Sequence, residues 1–175
     1  TLGVWNQWMS QAGAKVMERR AQTVDAIATW VRATYVQLAG EEADVRFEYV
    51  SKWEGTLETD LEPGEQAARL LAALEENDRI DRERRVTTVG PHRDEPVVYL
   101  NGKDTRSKAS QGEQRTLMLA MRLASHEAIT AAVGEPPALL LDDVFSELDR
   151  ERAGALAGAL PAAQTFITTA RFEEV

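Results

Sequence analysis

The sequence of 175 residues contains no cysteine, and this absence excludes several kinds of site. There is no disulfide framework, no thiolate-bound zinc and no thiol nucleophile. No run of eighteen or more apolar residues occurs, so no membrane-spanning segment is predicted. The first residues lack the basic start and the apolar core of a signal peptide. We therefore expect a cytoplasmic protein with no membrane partner, long enough for one domain with a substantial core.

Positive charge is also scarce, because 20 Lys and Arg face 29 Asp and Glu and the net charge is −9. Such an excess of acid argues against a protein that coats nucleic acid over its whole surface, since phosphate binding needs clustered basic side chains. Residues 82–115 are the exception, with eight basic and five acidic side chains. The hypothesis is that this stretch contacts an anion such as DNA phosphate, with Arg82, Arg84 and Arg85 as the candidate DNA-binding residues; the alternative is that some of these charges only neutralise nearby acids.

The first half of the chain, residues 1–85, is predicted to be a helical arm with a small strand element. Apolar residues recur at spacings of three and four over residues 2–39 and again over residues 65–84. Between them, residues 45–49 alternate apolar and charged side chains, which is the period of a half-buried strand. A break is predicted at residues 62–64, where the sequence reads Glu-Pro-Gly.

Two features of the first predicted helix bear on its packing. Gly13 weakens the middle of the helix, so we expect either two helices or one bent helix. Trp5, Trp8 and Trp30 lie on its apolar positions, and we expect them to pack in the core. Gly40 is placed to end the helix.

The second half, residues 86–175, has the pattern of an α/β sheet. Its first elements are β-type runs at 86–89 and 97–100, the latter followed by an Asn101-Gly102 turn signal. The remaining predicted elements are a helix at 111–133, an apolar strand at 138–141, a helix at 151–160 and a strand at 165–169. Apolar strands that alternate with helices indicate a sheet covered on both faces.

The apolar strand Leu139-Leu140-Leu141 ends in Asp142 and Asp143. Ligands of α/β proteins bind at the carboxyl edge of the sheet, where this strand would place the two carboxylates. Paired aspartates suit Mg²⁺, which takes oxygen ligands and shares phosphate oxygens with one or two carboxylates. An acidic pair after a buried strand is equally consistent with a solvated turn, and the strand alone does not decide between the two.

Residues 110–115 read Ser-Gln-Gly-Glu-Gln-Arg. Ser110 with Glu113 three residues later is a capping box, so a helix is predicted to begin here. Gly112 in the first turn removes a Cβ atom, which lets backbone amides approach a ligand closely. A helix N-terminus of this kind is a natural anion site. Taken alone, an ordinary helix cap is the better interpretation of the motif.

Together the two motifs resemble the ABC-type ATPase heads. In that family the serine-glycine motif is the signature, the strand with its acids is Walker B, and a run such as Ser146-Glu147-Leu148-Asp149 is the D-loop. Residues 90–94, 101–104, 109–115 and 139–149 bring the sequence closer to the RecF family of bacterial recombination-mediator ATPases. The resemblance extends over residues 86–169, and it is weaker over the predicted arm.

The resemblance implies a fold and a set of residue roles. The chain would hold part of an ABC-type ATPase head, with a sheet flanked by helices, in residues 86–175, and an α-helical arm, or lever, in residues 1–85. Asp142 would hold Mg²⁺, Asp143 would be the general base, and Asp149 would lie at a subunit boundary. The signature residues would contact the γ-phosphate of ATP held by a second subunit; they are Ser110, Gln111, Gly112, Glu113 and Gln114.

The resemblance also implies partners. Two heads would form an ATP-dependent homodimer that clamps duplex, gapped or junction DNA, and slow hydrolysis would release the DNA. The biological setting would be recombinational DNA repair, replication restart and the SOS response, with RecO and RecR as protein partners and recombinase loaded at gaps.

Two family features are missing from the sequence. No G-x-x-x-x-G-K-[ST] phosphate loop occurs, so we expect the chain alone to bind ATP poorly and to be inactive. Together with Thr1 in place of methionine, this predicts the C-terminal part of a longer protein. No histidine follows the last predicted strand, where residues 167–170 read Ile-Thr-Thr-Ala, so γ-phosphate sensing through a switch histidine is not expected.

Two other classes of function remain open on the sequence. A Mg²⁺-dependent nuclease or phosphatase could use Asp142, Asp143 and His92, and it would need a third carboxylate converging on the metal. His92 in a polar turn is more typical of a hydrogen-bonded structural residue. A non-catalytic adaptor that acts through its helical arm is the other alternative.

Overall fold

The computed structural model describes residues 2–57, 64–145 and 148–169. The predicted break at residues 62 and 63, the first two residues of the predicted D-loop (146 and 147), and residue 170 lie outside them. The chain forms two compact units. The first unit combines Thr1–Asp25 with Phe47–Val97, and the second unit combines Ala26–Arg46 with Val98–Val175. The predicted boundary between residues 85 and 86 stays a prediction.

A single helix of 38 residues, α1 (Leu2–Ala39), begins the chain. Its buried side chains keep helical spacing, as the periodicity predicts; they include Met17, Ala21, Val24, Val31, Tyr35 and Leu38. Gly13 neither breaks nor splits it. A Cβ atom on Gly13 would lie 2.8 Å from Cδ2 of the buried Leu70, so the glycine allows a close approach of side chains at this point. Gly40 ends the helix in the left-handed region, with φ 71°.

The prediction that Trp5 and Trp8 pack in the core is wrong. The two rings are 64 % and 62 % exposed and contact each other edge to face, with 5.6 Å between their centroids. Among the described side chains of α1, Val4, Trp5 and Trp8 are exposed and Met9 is half-buried, so the packed part of the helix begins near residue 9. Trp30 is half-buried, which agrees with a packing role.

A four-stranded sheet follows, built from β1 (Val45–Ser51), β2 (Gly55–Thr56), β3 (Glu95–Leu100) and β4 (Lys103–Asp104), in the order β2-β1-β3-β4. Alternate side chains of β1 are buried, as its sequence predicts. β3 and β4 are antiparallel and joined by Asn101 and Gly102, which have φ values of 50° and 74°. These positive values match a tight hairpin turn and confirm the turn signal.

The helix α2 (Glu65–Arg84) lies between β2 and β3 in the chain and buries Leu70 and Leu74. The β-type run predicted at residues 86–89 is not a strand. The Thr88 amide donates to Oδ1 of Asp81 over 2.9 Å, and the Thr87 carbonyl accepts from Nε of Arg93 over 3.0 Å. Side chains therefore satisfy backbone groups that a sheet ladder would otherwise take.

The rest of the second unit contains α3 (Thr105–Lys108), α4 (Gln111–Val133), β5 (Leu139–Asp142), α5 (Arg150–Ala159) and β6 (Thr165–Thr168). β5 and β6 form a separate parallel pair, consistent with a crossover through α5. The expectation that both faces of this pair are covered is not met in the described part of the chain. Leu140 and Phe166, which are paired in register, are 75 % and 51 % exposed.

Among residues 2–57, 64–145 and 148–169, no helix combines the length and the apolar character needed to cross a bilayer.

Candidate functional site

The carboxyl end of β5 is fastened to the end of β6 by three hydrogen bonds. The parallel register sets Asp142 opposite Thr168, and the Thr168 hydroxyl donates to Oδ1 of Asp142. The Asp143 amide donates to both the carbonyl and the hydroxyl oxygen of Thr168, each over 3.0 Å. The two aspartates therefore leave the sheet in a fixed direction, and both are exposed.

Asp143 adopts a left-handed backbone conformation, with φ 48°. This conformation is uncommon for a residue with a side chain and concentrates at functional sites, where the surrounding structure maintains it. Here the two hydrogen bonds from the Asp143 amide to Thr168 hold it in place. Aspartate also adopts this conformation in turns, so it is the position of the pair at a strand end, with its hydrogen bonds to Thr168, that favours a ligand site.

A cleft of about 300 Å³ adjoins the acidic pair. Asp142 and Asp143 line one part of it, and Arg115 from the second turn of α4 lines another. The remaining lining is mostly apolar and comes from Met118, Leu119, Val144 and Leu148. The cleft thus connects the helix that carries the serine-glycine motif with the strand that carries the two acids.

The residues at this edge fit a magnesium ion that is shared with phosphate oxygens. Mg²⁺ keeps several waters and is commonly held by one or two carboxylates together with substrate phosphates. Two exposed carboxylates at a strand end supply that donor set. No cluster of three or more His, Asp or Glu suited to a metal occurs in the described ranges, so these residues do not form a site made of protein ligands alone.

The N-terminus of α4 carries the predicted capping box. The Glu113 amide donates to Oγ of Ser110 over 3.2 Å, and the Ser110 amide donates to Oε2 of Glu113 over 2.6 Å. Hydrogen bonding of the Glu113 carboxyl to the side chain and the backbone of Ser110 holds its pKa below the usual value. Gln114 is engaged as well, because its Nε2 donates to the carbonyl of Thr105 over 3.1 Å. Gln111 is exposed at the start of the helix. The turn is rigid and presents the positive end of the helix dipole.

Gly112 lies against an arginine of α5. A Cβ atom on Gly112 would be 2.9 Å from Nη1 of Arg152. Asp149 is the N-cap of α5, and its Oδ1 accepts from the Arg152 amide over 2.9 Å. Its Oδ2 lies 3.7 Å from Nη1 of the same arginine. The close approach expected at Gly112 is therefore made by a guanidinium group of this chain.

The second unit contains all the residues predicted for nucleotide and metal binding, whereas Arg82, Arg84 and Arg85 belong to the first unit. Arg82, in the last turn of α2, forms an ion pair of 3.0 Å with Asp78. Arg85 is the C-cap of the helix and has a left-handed backbone conformation. His92 is also in the first unit, with its Nε2 3.0 Å from the Thr87 carbonyl, which agrees with a structural role. The functional roles assigned to these residues stay predictions.

Two residues of the site escaped the sequence analysis, namely Thr168 and Arg152. Thr168 could have been found from the register of two parallel strands that both end near polar residues. Arg152 carries no such signal, because it lies forty positions after Gly112, on a different helix.

Curated relatives resemble the chain over nearly its whole length. The "DNA replication and repair protein RecF" of Anaeromyxobacter dehalogenans (strain 2CP-C) is 43 % identical over 91 % of this chain and 43 % of the relative. The protein of the same description from Rippkaea orientalis is 35 % identical over 96 % of this chain and 44 % of the relative. The chain therefore spans less than half the length of the curated relatives it matches. No known protein-family model matches it.

Solved structures agree with this similarity. The recombination mediator protein RecF, solved with ATP, superposes with a TM-score of 0.83 at 25 % identity, over 99 % of this chain and 47 % of that chain. A second RecF structure gives a TM-score of 0.81 at 25 % identity, over 98 % of this chain and 46 % of that chain. The resemblance predicted from the motifs is confirmed, and so is the fold class, part of an ABC-type ATPase head with an α-helical arm.

Proposed function

We propose that this chain, whose sequence and fold match part of RecF, belongs to an ATP-dependent DNA-binding protein of recombinational repair and replication. In the intact protein, ATP joins two heads into a homodimer that clamps DNA, and slow hydrolysis opens it. RecO and RecR are the protein partners, and the clamp helps to load recombinase at gaps. The observation that carries the proposal is the parallel pair β5–β6, which ends in the exposed Asp142 and Asp143 at the cleft that adjoins α4.

ATP binding is shared between two subunits in this proposal. The first turn of α4 contacts the γ-phosphate of ATP held by the partner subunit, through the Ser110 hydroxyl and the amides near Gly112. The capping box supports this role because it fixes the turn before any ligand arrives. Gln111, Glu113 and Gln114 complete the signature turn. Asp149 lies at the boundary between the subunits.

Hydrolysis depends on the acidic pair. Asp142 holds Mg²⁺, which neutralises charge on the phosphate oxygens when bound. Asp143 accepts a proton from the attacking water and orients it. Asp reaches one methylene less far than the Glu that many ABC-type proteins have at this position, which is consistent with slow turnover. Thr168 keeps Asp142 and the backbone of Asp143 in position through its hydrogen bonds.

DNA contact is assigned to the end of α2. Arg84 is exposed there beside Arg82 and Arg85, so three positive charges lie within four residues of a strongly acidic chain. Such contacts go to phosphates and orient the protein without reading sequence.

The chain alone lacks the phosphate loop, so calorimetry of the isolated chain is expected to detect no micromolar, Mg²⁺-dependent binding of ATP.

The substitution Asp143→Asn in the intact protein tests the proposal. It removes the base and keeps the shape of the side chain, so ATP turnover is expected to fall at least about 100-fold. The ATP-bound dimer should then accumulate, measured by light scattering with and without ATP. Asp25→Asn makes the same chemical change on the exposed face of α1 and should alter neither readout.

Other outcomes of that experiment would favour the alternative functions. A nuclease would lose DNA cleavage with no change in assembly, and an adaptor would be unaffected by the substitution. The nuclease gains no support from the described residues, where no third carboxylate joins Asp142 and Asp143 in a metal cluster. An intact protein that neither binds ATP nor dimerises with it would overturn the proposed function.

A further inference from the structure

Arg152 lies where the helix after the predicted D-loop meets the predicted signature turn. It is the third residue of α5, and its side chain is 36 % exposed. Its Nη1 atom is 2.9 Å from the position that a Cβ atom of Gly112 would take. Any larger residue at 112 would push the guanidinium group out of this place, because the far end of an arginine moves more easily than a helix backbone. Gly112 and Arg152 therefore depend on each other sterically.

The charge of Arg152 is unusual for its position. The N-terminus of a helix carries partial positive charge, and a guanidinium group close to two such ends is repelled by both. Two carboxylates offset this repulsion, one from the cap of each helix. Asp149 caps α5 and lies 3.7 Å from the guanidinium group, and Glu113 closes the capping box of α4.

The state of Glu113 agrees with this arrangement. The hydrogen bonds from Ser110 are the main reason that the pKa of its carboxyl is lowered, and the positive charges of Lys103 and Arg152 act in the same direction. Glu113 therefore stays ionised next to Arg152. Arg152 is thus 3.7 Å from the carboxylate that caps α5 and interacts electrostatically with the Glu113 carboxylate of α4, so it connects the two helices through charge.

We infer that Arg152 is a positioning residue that holds the first turn of α5 against the signature turn of α4. This inference rests on the proposed function, in which Asp149 and the turn at Gly112 both face the nucleotide of the partner subunit. With Arg152 in place, the two elements form one preorganised surface. The absence of a Cβ atom at Gly112 then leaves room for the guanidinium group of Arg152 as well as for the phosphate.

The inference separates binding of ATP from its turnover. In the proposed function, the phosphate loop that this chain lacks binds ATP within one subunit, and the surface around Arg152 does not. Loss of Arg152 therefore disturbs only the step in which a second subunit closes on the nucleotide. The expected signature is a lower kcat and weaker ATP-dependent dimerisation, with an unchanged Kd of the single subunit for ATP.

The test compares Arg152→Ala with Arg150→Ala in the intact protein. Arg150 is exposed and lies two residues earlier on the same helix, so its loss controls for the removal of one positive charge. Arg152→Ala is expected to lower kcat about 10- to 100-fold and to weaken the dimer. The Kd of the single subunit for ATP, measured below the protein concentration at which dimers form, should stay within about twofold of the parent. Arg152→Lys keeps the charge but loses the planar fork, so it should restore only part of the rate.

A second variant guards against a simple folding defect. Asp149→Asn retains an oxygen that can cap α5 and removes the charge that faces Arg152, so it is expected to reproduce the loss of kcat at an unchanged melting temperature. The inference is overturned if Arg152→Ala matches Arg150→Ala, or if it raises the Kd of the single subunit for ATP as much as it lowers kcat. A parent protein without ATP-dependent dimerisation would instead refute the proposed function.

Discussion

The two units place their acidic side chains in opposite environments. In the first unit Asp94 is 7 % exposed, and its Oδ2 accepts from the Tyr49 hydroxyl over 3.0 Å. In the second unit Asp142 and Asp143 are exposed at the end of a strand. A buried carboxylate has to be matched by the protein around it, whereas an exposed pair is available to a ligand. The same residue type thus serves packing in one unit and, as we propose, chemistry in the other.

The buried cluster gives a structural account of residues 90–94, one of the segments that carry the family resemblance. Gly90 has a φ of 122°, and a Cβ atom on it would lie 3.0 Å from Cε of Met9. The Pro91 carbonyl accepts from Nη1 of Arg20 over 2.5 Å. Burial raises the pKa of both Asp94 and Tyr49, that of Tyr49 to about 12. Residues 90–94 therefore form a turn that packs against α1. A sequence motif shared with a family can thus reflect packing as well as catalysis.

The largest expected effect is on ATP turnover, which should depend on the exposed acidic pair and not on the buried Asp94. Asp142→Asn in the intact protein should lower ATP turnover about 100-fold, because the charge that holds the metal is lost. Its melting temperature should stay close to that of the parent, since the side chain is exposed. Asp94→Asn makes the same change in the buried cluster and should leave turnover per folded molecule unaltered. Equal losses of turnover in the two variants would contradict the comparison.

The next effect separates them by stability. Asp94→Ala leaves the Tyr49 hydroxyl without its acceptor, and a buried polar group in that state costs about 2 kcal/mol. The free energy of unfolding, measured by urea titration, should fall by that amount. Asp25→Ala on the exposed face of α1 is the matched control and should change it little. A cost for Asp94→Ala no larger than that of the control would mean that the cluster is not a source of stability.

A smaller effect tests whether Ser110 of the second unit contributes to stability as well as to ATP turnover. Ser110→Ala removes the N-cap of α4 and should cost about 1 kcal/mol, in addition to its effect on ATP turnover. Ser110→Asp restores a capping oxygen, so stability should return. Turnover should stay low in that variant, because a negative charge opposes the phosphate. If Ser110→Asp recovers both properties, the serine acts only as a cap.

Local patterns predicted much of the fold and part of the site. The capping box of Ser110 and Glu113 depends on residues three apart, and the strand that ends at Asp142 depends on a continuous apolar run. The contact of Thr168 with Asp142 could not be predicted from local sequence, because it depends on the register of two parallel strands. Residues 86–89 were mistaken for a strand because the side chains of Asp81 and Arg93, which bind their backbone, lie outside the run.

The smallest expected effect is the dependence of stability on pH that comes from Asp94 in the first unit. Burial raises the pKa of Asp94 in the folded state above its value of about 3.9 in the unfolded chain. The folded state therefore holds the proton more tightly over the interval between the two values. The stability that this proton contributes is fully present below the unfolded pKa and is lost as the pH rises through the folded pKa.

Asp94→Asn removes this titration while keeping an acceptor for Tyr49. Unfolding of the parent and the variant, compared from pH 3.5 or so up to neutrality, should therefore show a difference that grows in favour of the variant as the pH rises. A difference between parent and Asp94→Asn that stays constant with pH would show that the carboxyl is solvated, and the contrast between the two units would then rest on hydrogen bonding alone.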